Sequence, residues 1–138
     1  MGIRASGLRI LYKMLPAKRV LSLGYPDILA TKEDIIHIFG VEPAAYVTTG
    51  KWHEVHHPLP ETVSLFNQLG AELECVDVYA SRGIERIVDL NQPATLGTYD
   101  VVLDLGTIEH CFNIAQALKN AVDAMAVAGR IFHTPPVT

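Results

Sequence analysis

The sequence predicts one α/β domain in which a mostly parallel sheet carries helices on both faces. Two features lead to this prediction: short apolar runs have the character of buried strands, and segments of helical apolar period separate them. Parallel strands need long crossover connections, which helices of this length provide. The 138 residues are 49% hydrophobic and 19% charged, which suits a single domain over residues 1–138 and excludes a coiled coil or a disordered tail.

The strand-like runs are apolar and end at turn residues. They lie at residues 19–24, 73–78, 84–90, 99–106 and 130–134. The first ends in a Gly-Tyr-Pro-Asp turn, and the fourth is the clearest of the set. The second is apolar apart from two acidic residues, and one of these, Asp77, lies at its carboxyl end.

Helices are predicted by apolar spacing together with start and stop residues. They lie at residues 3–15, 31–39, 60–69 and 113–128. Pro16 ends the first helix, and Thr31 with Asp34 predicts a capped start for the second. Asn113 caps the last helix. The residues of that helix expected to face the sheet are Ala115, Leu118, Val122 and Met125.

Charge and cysteine content narrow the partners and the compartment. Eleven basic and fifteen acidic residues give a formal net charge of −4, which argues against nucleic acid and favours a small molecule or a protein as partner. Cys75 and Cys111 follow no metal-binding spacing, and free thiols are typical of a reducing compartment, so we expect a cytoplasmic protein. No apolar run reaches the roughly 18 residues of a membrane-spanning helix, so we expect no membrane partner.

The ends of the strands are the first place to look for a binding site. In a parallel sheet the ligand crevice lies beyond the carboxyl ends of the strands. Asp77 ends the second strand, where a carboxylate can accept hydrogen bonds from both hydroxyls of a ribose. Asp77 is therefore a candidate for binding a nucleoside. The alternative is a solvated carboxylate at a strand end.

Several segments resemble class I S-adenosylmethionine-dependent methyltransferases, which have a Rossmann-like fold. Residues 99–110, with the Glu-His pair at their end, and residues 129–135 are similar to the fourth-strand and fifth-strand region of that family. Residues 74–79 resemble its second strand, and residues 87–91 resemble its adenine-binding segment. The resemblance implies a three-layer fold with sheet order 3-2-1-4-5, S-adenosylmethionine as the cofactor and a small-molecule methyl acceptor.

The same resemblance implies binding roles for individual residues. Asp77 would hold the ribose, and Asp89 with Leu90 would hold the adenine. The full set of implied cofactor-binding residues is Gly24, Asp77, Asp89, Leu90, Leu105 and Gly106. A further alternative is an NAD-binding domain that uses Asp77, although no G-x-G-x-x-G follows the first strand.

Catalytic candidates follow the fourth strand. His110 is a candidate general base, because imidazole titrates near neutral pH. Alternatively, Glu109 and His110 only fix their loop by hydrogen bonds, since methyl transfer depends mainly on the alignment of the reacting atoms. Cys111 is a weaker candidate for a nucleophile, because no activating base is identifiable.

Residues 41–60 lack any apolar period and are predicted to form an inserted loop. Within it, residues 53–57 fit the H-E-x-x-H pattern of zinc proteases, which requires a helix. Pro58 directly follows the motif and disfavours a helix there, so we expect an ordinary polar loop and no metal. A looser metal site is the alternative, with His53, His56 and His57 as its ligands.

Two departures from the family motivate a second functional hypothesis. The turn after the first strand supplies one glycine, Gly24, followed by Tyr25 and Pro26, and the chain stops after the fifth strand, whereas the family continues through two more. The alternative function is therefore a non-catalytic relic of the fold that acts as an interaction or assembly module. An unpaired sheet edge tends to recruit another chain, so we expect a homodimer or larger assembly through that edge or the first helix.

Overall fold

The computed structural model describes residues 2–46, 49–50 and 59–134 and has an α/β architecture. The strands and helices are, in chain order, β1 (Gly2–Arg4), α1 (Ala5–Tyr12), β2 (Arg19–Leu23), β3 (Asp27–Leu29), α2 (Lys32–Phe39), α3 (Val41–Tyr46), β4 (Thr49–Gly50), β5 (Leu59–Pro60), α4 (Thr62–Gln68), β6 (Glu72–Asp77), β7 (Arg86–Ile87), β8 (Tyr99–Asp104), α5 (Ile114–Asp123) and β9 (Met125–His133). One 3-10 turn, Ile108–His110, lies between β8 and α5.

Five strands form the central sheet in the order β7-β6-β2-β8-β9, and every pairing is parallel. The prediction of an α/β fold with a parallel five-stranded sheet is confirmed, and this architecture is compatible with a Rossmann-like fold. Counted along the chain, the strands lie in the order 3-2-1-4-5. The order reverses between β2 and β8, which is where a ligand crevice forms in sheets of this kind.

Each face of the sheet packs against its own apolar cluster. Successive side chains of a strand point to opposite faces, so Val20 and Leu103 join the cluster that contains α1 and α2, whereas Leu21 and Val102 join the cluster that contains α5. Burial on both faces explains why β2 is apolar along most of its length. No helix among the described residues is both long enough and apolar enough to cross a bilayer.

The amino terminus differs from the predicted helix over residues 3–15. Gly2–Arg4 forms β1, which pairs in parallel with β3 outside the central sheet. This pairing satisfies the backbone of residues 2–4 and buries Ile3. The helix that follows is shorter than predicted, because the amides of Lys13 and Met14 already bond to Ile10 and Leu11 in a closing turn.

The predicted loop over residues 41–60 contains a short helix. Residues 41–46 form α3, so the loop prediction was wrong there. Pro43 lies in the first turn of α3, where a missing backbone N–H costs nothing. Further along, β4 pairs antiparallel with β5. The capping interaction predicted for α2 is confirmed, since the Thr31 hydroxyl accepts from the Asp34 amide at 3.1 Å.

Helix α5 turns a different face to the sheet than predicted. Ala117 and Ala121 are buried, whereas Leu118 and Val122 are 44% and 54% exposed, and Ala115 is exposed as well. Small residues on the inner face allow close packing against the sheet, and a buried Asn120 on the same face holds a neighbouring loop. The helix also ends at Asp123, and Met125 starts β9 instead of continuing the helix.

Cys75 gives the folded protein a specific sensitivity to alkali. Its side chain lies in β6 and is 1% exposed. Burial raises the pKa of the Cys75 thiol to about 12, and the nearby carboxylate of Glu85 adds to the shift. The native state therefore keeps a proton that the unfolded chain releases from about pH 9 upwards. Loss of this proton favours the unfolded chain, so the free energy of unfolding falls as the pH rises from 9 to 12.

We expect Cys75→Ala to flatten the alkaline decline of stability. Removing the thiol removes one native proton, so the free energy of unfolding of the variant should fall less steeply than that of wild type above pH 9, by about 1 kcal/mol per pH unit. Urea denaturation at several pH values between 8 and 10.5 measures both slopes. Cys111→Ala is the control at the less buried thiol. Equal slopes for wild type and Cys75→Ala would contradict the prediction.

Candidate functional site

A cavity of about 280 Å³ lies beyond the carboxyl ends of β6 and β8. Its lining residues come from three chain segments that follow β6, β7 and β8: Asp77, Val78, Tyr79, Val88, Leu90, Asn91, Gly106, Thr107, His110 and Cys111. The structure thus brings together Asp77, Leu90, Gly106 and His110, which the sequence marks as candidates. The cavity combines apolar walls with a carboxylate, an amide and a hydroxyl, a composition typical of small-molecule sites.

Asp77 reaches the cavity because β6 ends there. The residue is half-buried, and its Oδ1 accepts a hydrogen bond from the backbone N–H of Val78 at 2.7 Å. That bond fixes the carboxylate at the carboxyl end of β6. Neighbouring Val78 and Tyr79 are exposed and form the outer rim of the cavity.

The segment after β7 places Leu90 in the cavity wall and Asp89 outside it. Asp89 is exposed, and its Oδ1 accepts from the backbone N–H and the side chain of Asn91 at 2.9 and 2.7 Å. These bonds hold the pKa of Asp89 below its usual range. The Asn91 side-chain oxygen in turn accepts a hydrogen bond from the backbone N–H of Asn113 at 2.8 Å, at the start of α5. The role of Asp89 in this structure is therefore to orient Asn91, which lines the cavity and which the sequence analysis missed.

The loop after β8 forms the opposite wall. Gly106 has a φ of 104°, and a side chain there would meet the Glu109 carboxylate at 2.8 Å, so this turn requires glycine. The Thr107 hydroxyl donates to the backbone carbonyl of Leu23, the last residue of β2. This bond joins the ends of β8 and β2 at the point where the strand order reverses. Leu105 is buried in the core and does not line the cavity.

The turn after β2 contributes no lining residue to the cavity. Gly24 has a φ of 84°, and its amide donates to the Val76 carbonyl at 2.7 Å. The Tyr25 phenol donates to Glu61 Oε1 at 2.6 Å, and the Arg82 guanidinium lies 4.8 Å from the centre of the Tyr25 ring. Burial raises the pKa of the Tyr25 phenol. Tyr25 is thereby held towards the start of α4, and neither it nor Gly24 lines the cavity.

The catalytic candidates after β8 differ in their surroundings. His110 lines the cavity with a side chain that is 81% exposed, and its Nε2 is 4.0 Å from Glu109 Oε1, too far for a hydrogen bond. Cys111 also lines the cavity, and burial raises the pKa of its thiol. A raised pKa reduces the fraction of reactive thiolate, so Cys111 is suited to lining the cavity and not to acting as a nucleophile.

The alternative metal site of His53, His56 and His57 lies outside the described residues. Within residues 2–46 and 59–134, no three His, Cys, Asp or Glu side chains are grouped so that they could hold a metal ion.

A buried asparagine on α5, which the sequence analysis missed, holds the segment that forms one wall of the cavity. Asn120 is 2% exposed, and its Nδ2 donates to the carbonyls of Leu90 and Gln92 at 3.1 and 2.8 Å. Its Oδ1 accepts from the Ala94 amide at 3.2 Å and from the Gln116 side chain at 2.8 Å. The signal in the sequence is an asparagine in the interior of a helix among alanines, where the residue is a poor helix former.

We expect Asn120→Ala to destabilise the fold by about 2–3 kcal/mol, because it leaves backbone groups of the loop at residues 90–94 without partners. The change in the urea unfolding midpoint measures this cost. Asn67→Ala, on α4, is the matched control, since residue 67 is exposed. A loss for Asn120→Ala that does not exceed that of Asn67→Ala would show that the loop does not depend on this amide.

Comparisons with known proteins complete the description of the site. No family model matches the chain, and neither the search of curated proteins nor the search of solved structures finds a match. A functional conclusion therefore rests on the residues of this chain and on the geometry of the cavity.

Proposed function

We propose that the cavity binds the nucleoside part of S-adenosylmethionine and that the protein is a methyltransferase for a small-molecule acceptor. The observation that carries this proposal is that Asp77, Leu90 and Gly106, for which the resemblance to the methyltransferase family implies cofactor contacts, line one cavity at the carboxyl edge of a parallel sheet. Cavities at this edge are the usual ligand sites of such folds.

The chemistry of the walls suits a nucleoside. The Asp77 carboxylate can accept hydrogen bonds from the two ribose hydroxyls, and the side chains of Val88 and Leu90 offer an apolar surface to a purine ring. The Asn91 side chain already bonds to Asp89 and to the backbone N–H of Asn113, and its second N–H and second oxygen lone pair can serve the edge of the base. A volume of about 280 Å³ is just below the range for small-molecule sites, about 300 to 1,000 Å³, so we place the methionine part outside this cavity.

The local charge favours a cationic ligand. The carboxylates of Asp104, Asp89 and Glu109 all add to the upward shift in the pKa of Cys111, so the potential at the cavity wall is negative. S-adenosylmethionine carries a sulfonium charge, and a negative potential attracts a cation. The protein as a whole has a formal net charge of −4, which has the same sign.

We expect S-adenosylhomocysteine and S-adenosylmethionine to bind, and Asp77→Asn to weaken both about tenfold, because a hydrogen bond from a hydroxyl to a charged carboxylate is worth about 1.5–3 kcal/mol. Isothermal titration calorimetry measures both affinities. Asp123→Asn is the matched control, since that carboxylate lies on α5 in an exposed pair with Lys119. The absence of heat from wild type at millimolar ligand would reject the proposal, and an unchanged affinity of Asp77→Asn would reject the ribose contact.

The outer face of α5 favours a second candidate function, assembly with a second copy of the chain. Ile114, Leu118 and Val122 follow one another at intervals of four residues and are all 44% exposed or more, which forms an apolar stripe along the helix. Strand β9 ends the sheet beside this helix, and Ile131, opposite Val102 in the register, faces the same side.

A second copy is the occupant that this geometry fits. In the described part of the chain, β9 pairs with β8 through Met125 and residues 130–133 and has no strand on its other side, so an antiparallel β9 of a second copy would continue the sheet. Twofold symmetry places the same patch on both chains, so the apolar stripe of one α5 would meet that of the other. Burial of both stripes would then supply the apolar contact area.

We expect sedimentation to give twice the mass of the chain, and Leu118→Glu with Val122→Lys to return the monomer, since both substitutions place charges in the stripe. Ile10→Lys, on the exposed side of α1, is the control for the alternative interface through the first helix. Dissociation by Ile10→Lys alone would assign the interface to α1, and a monomeric wild type would reject assembly altogether.

A further inference from the structure

An aspartate and a histidine meet at the ends of β8 and β9. Asp104 and His133 are opposite each other in the parallel register, and Asp104 Oδ2 lies 2.6 Å from His133 Nδ1. The Asp104 side chain is fully buried, whereas the His133 side chain is 43% exposed. One end of the pair is therefore enclosed by protein, and the other end is accessible from solvent.

The surroundings of Asp104 fix the orientation of the imidazole. Asp104 Oδ1 accepts from the backbone N–H groups of Thr107 and Ile108 at 2.8 and 3.2 Å, so the carboxylate cannot rotate without breaking them. A carboxylate accepts hydrogen bonds and does not donate them, so the neutral imidazole of His133 must carry its proton on Nδ1. The lone pair then lies on Nε2, on the side away from Asp104.

We propose that His133, oriented by Asp104, is the general base that takes a proton from a hydroxyl group of the methyl acceptor. In this step the O–H bond breaks, its electron pair stays on oxygen, and the proton moves to His133 Nε2. The buried carboxylate of Asp104 stabilises the imidazolium that forms, and the proton leaves to solvent through the exposed side of the ring. The substrate class is therefore an alcohol or a phenol, whose oxygen is a weak nucleophile until the proton is removed.

The pair does not line the candidate cavity but is connected to it through Thr107. Thr107, whose amide bonds to Asp104, lines the cavity, and its hydroxyl bonds to the end of β2. Among the described residues, His110 also lies at this edge, but no hydrogen bond joins it to Glu109, whereas the ring of His133 is held by a buried charge. A fixed ring is what a general base needs, because proton transfer requires a defined distance and angle.

The inference rests on the proposed function only in that the oxygen attacks the methyl group of S-adenosylmethionine. The proton transfer to His133 can be tested without a methyl donor. The first measurement is the tautomer of His133 by nitrogen-15 NMR of histidine-labelled protein. We expect the Nδ1–H form in wild type and the Nε2–H form in Asp104→Asn, because an asparagine amide can donate to Nδ1 while its carbonyl still accepts from the loop. An Nε2–H form in wild type would overturn the inference.

A second measurement separates a reactive base from a structural partner of Asp104. Hydrolysis of p-nitrophenyl acetate reports the reactivity of an oriented imidazole: water loses a proton to Nε2, its oxygen bonds to the acetyl carbon, and p-nitrophenolate leaves. We expect His133→Gln and Asp104→Asn each to lower the protein-dependent rate about tenfold, which is below the ~10²–10⁴ that general-base catalysis contributes in an enzyme. His37→Gln, at an exposed histidine on α2 that does not line the cavity, is the matched control and should change the rate less than twofold.

The outcomes distinguish this inference from the proposed function. Calorimetry with S-adenosylhomocysteine on the same variants tests the cavity alone. A wild type that binds no S-adenosylhomocysteine but shows the Nδ1–H tautomer and the loss of hydrolysis in His133→Gln would reject the methyl donor and keep the base. A His133→Gln rate equal to wild type would overturn the base, whatever the calorimetry gives. If Asp104→Asn fails to fold, His133→Gln still decides, because residue 133 is exposed.

Discussion

The buried carboxylate of Asp104 holds the carboxyl edge of the sheet together. A charge without exposure is costly unless hydrogen bonds compensate it, and here the amides of Thr107 and Ile108 and the ring of His133 do so. The turn after β8 and the end of β9 are therefore fixed by one group. Through the bond from the Thr107 hydroxyl to Leu23, the same constraint extends to β2, across the reversal of strand order.

The opposite wall of the cavity depends on a second buried polar group. Asn120 binds the backbone on both sides of Asn91, and Asn91 itself is tied to Asp89 and to the amide of Asn113. Strand β7 has only two residues. The bonds of the segment that follows it therefore replace the backbone hydrogen bonds that a longer strand would form with β6. Both walls are thus set before any ligand arrives, and a preformed site loses less conformational entropy on binding.

The fold was predictable where it depends on local pattern and not where it depends on distant contacts. The five strands and the cap at Thr31 follow from residues within each segment. The strand at residues 2–4 requires pairing with β3, which no local pattern encodes. In α5 the apolar residues Leu118 and Val122 predicted the inner face, but the hydrogen bonds of Asn120 and the close packing of small residues place a neighbouring face inward, one residue away along the helix.

The same distinction between local pattern and distant contacts applies to the candidate site. Asp77 follows from its place at the end of a strand, and Leu90 and Gly106 follow from the resemblance, whereas Asp89 lies outside the cavity because its carboxylate is engaged by Asn91. The Asp104–His133 pair depends on the register between two parallel strands, and a shift of one residue would turn Asp104 towards a different side chain. Parallel register is set by packing over the whole sheet, so this pair becomes visible only in the folded chain, although both of its members lie close to the ends of predicted strands.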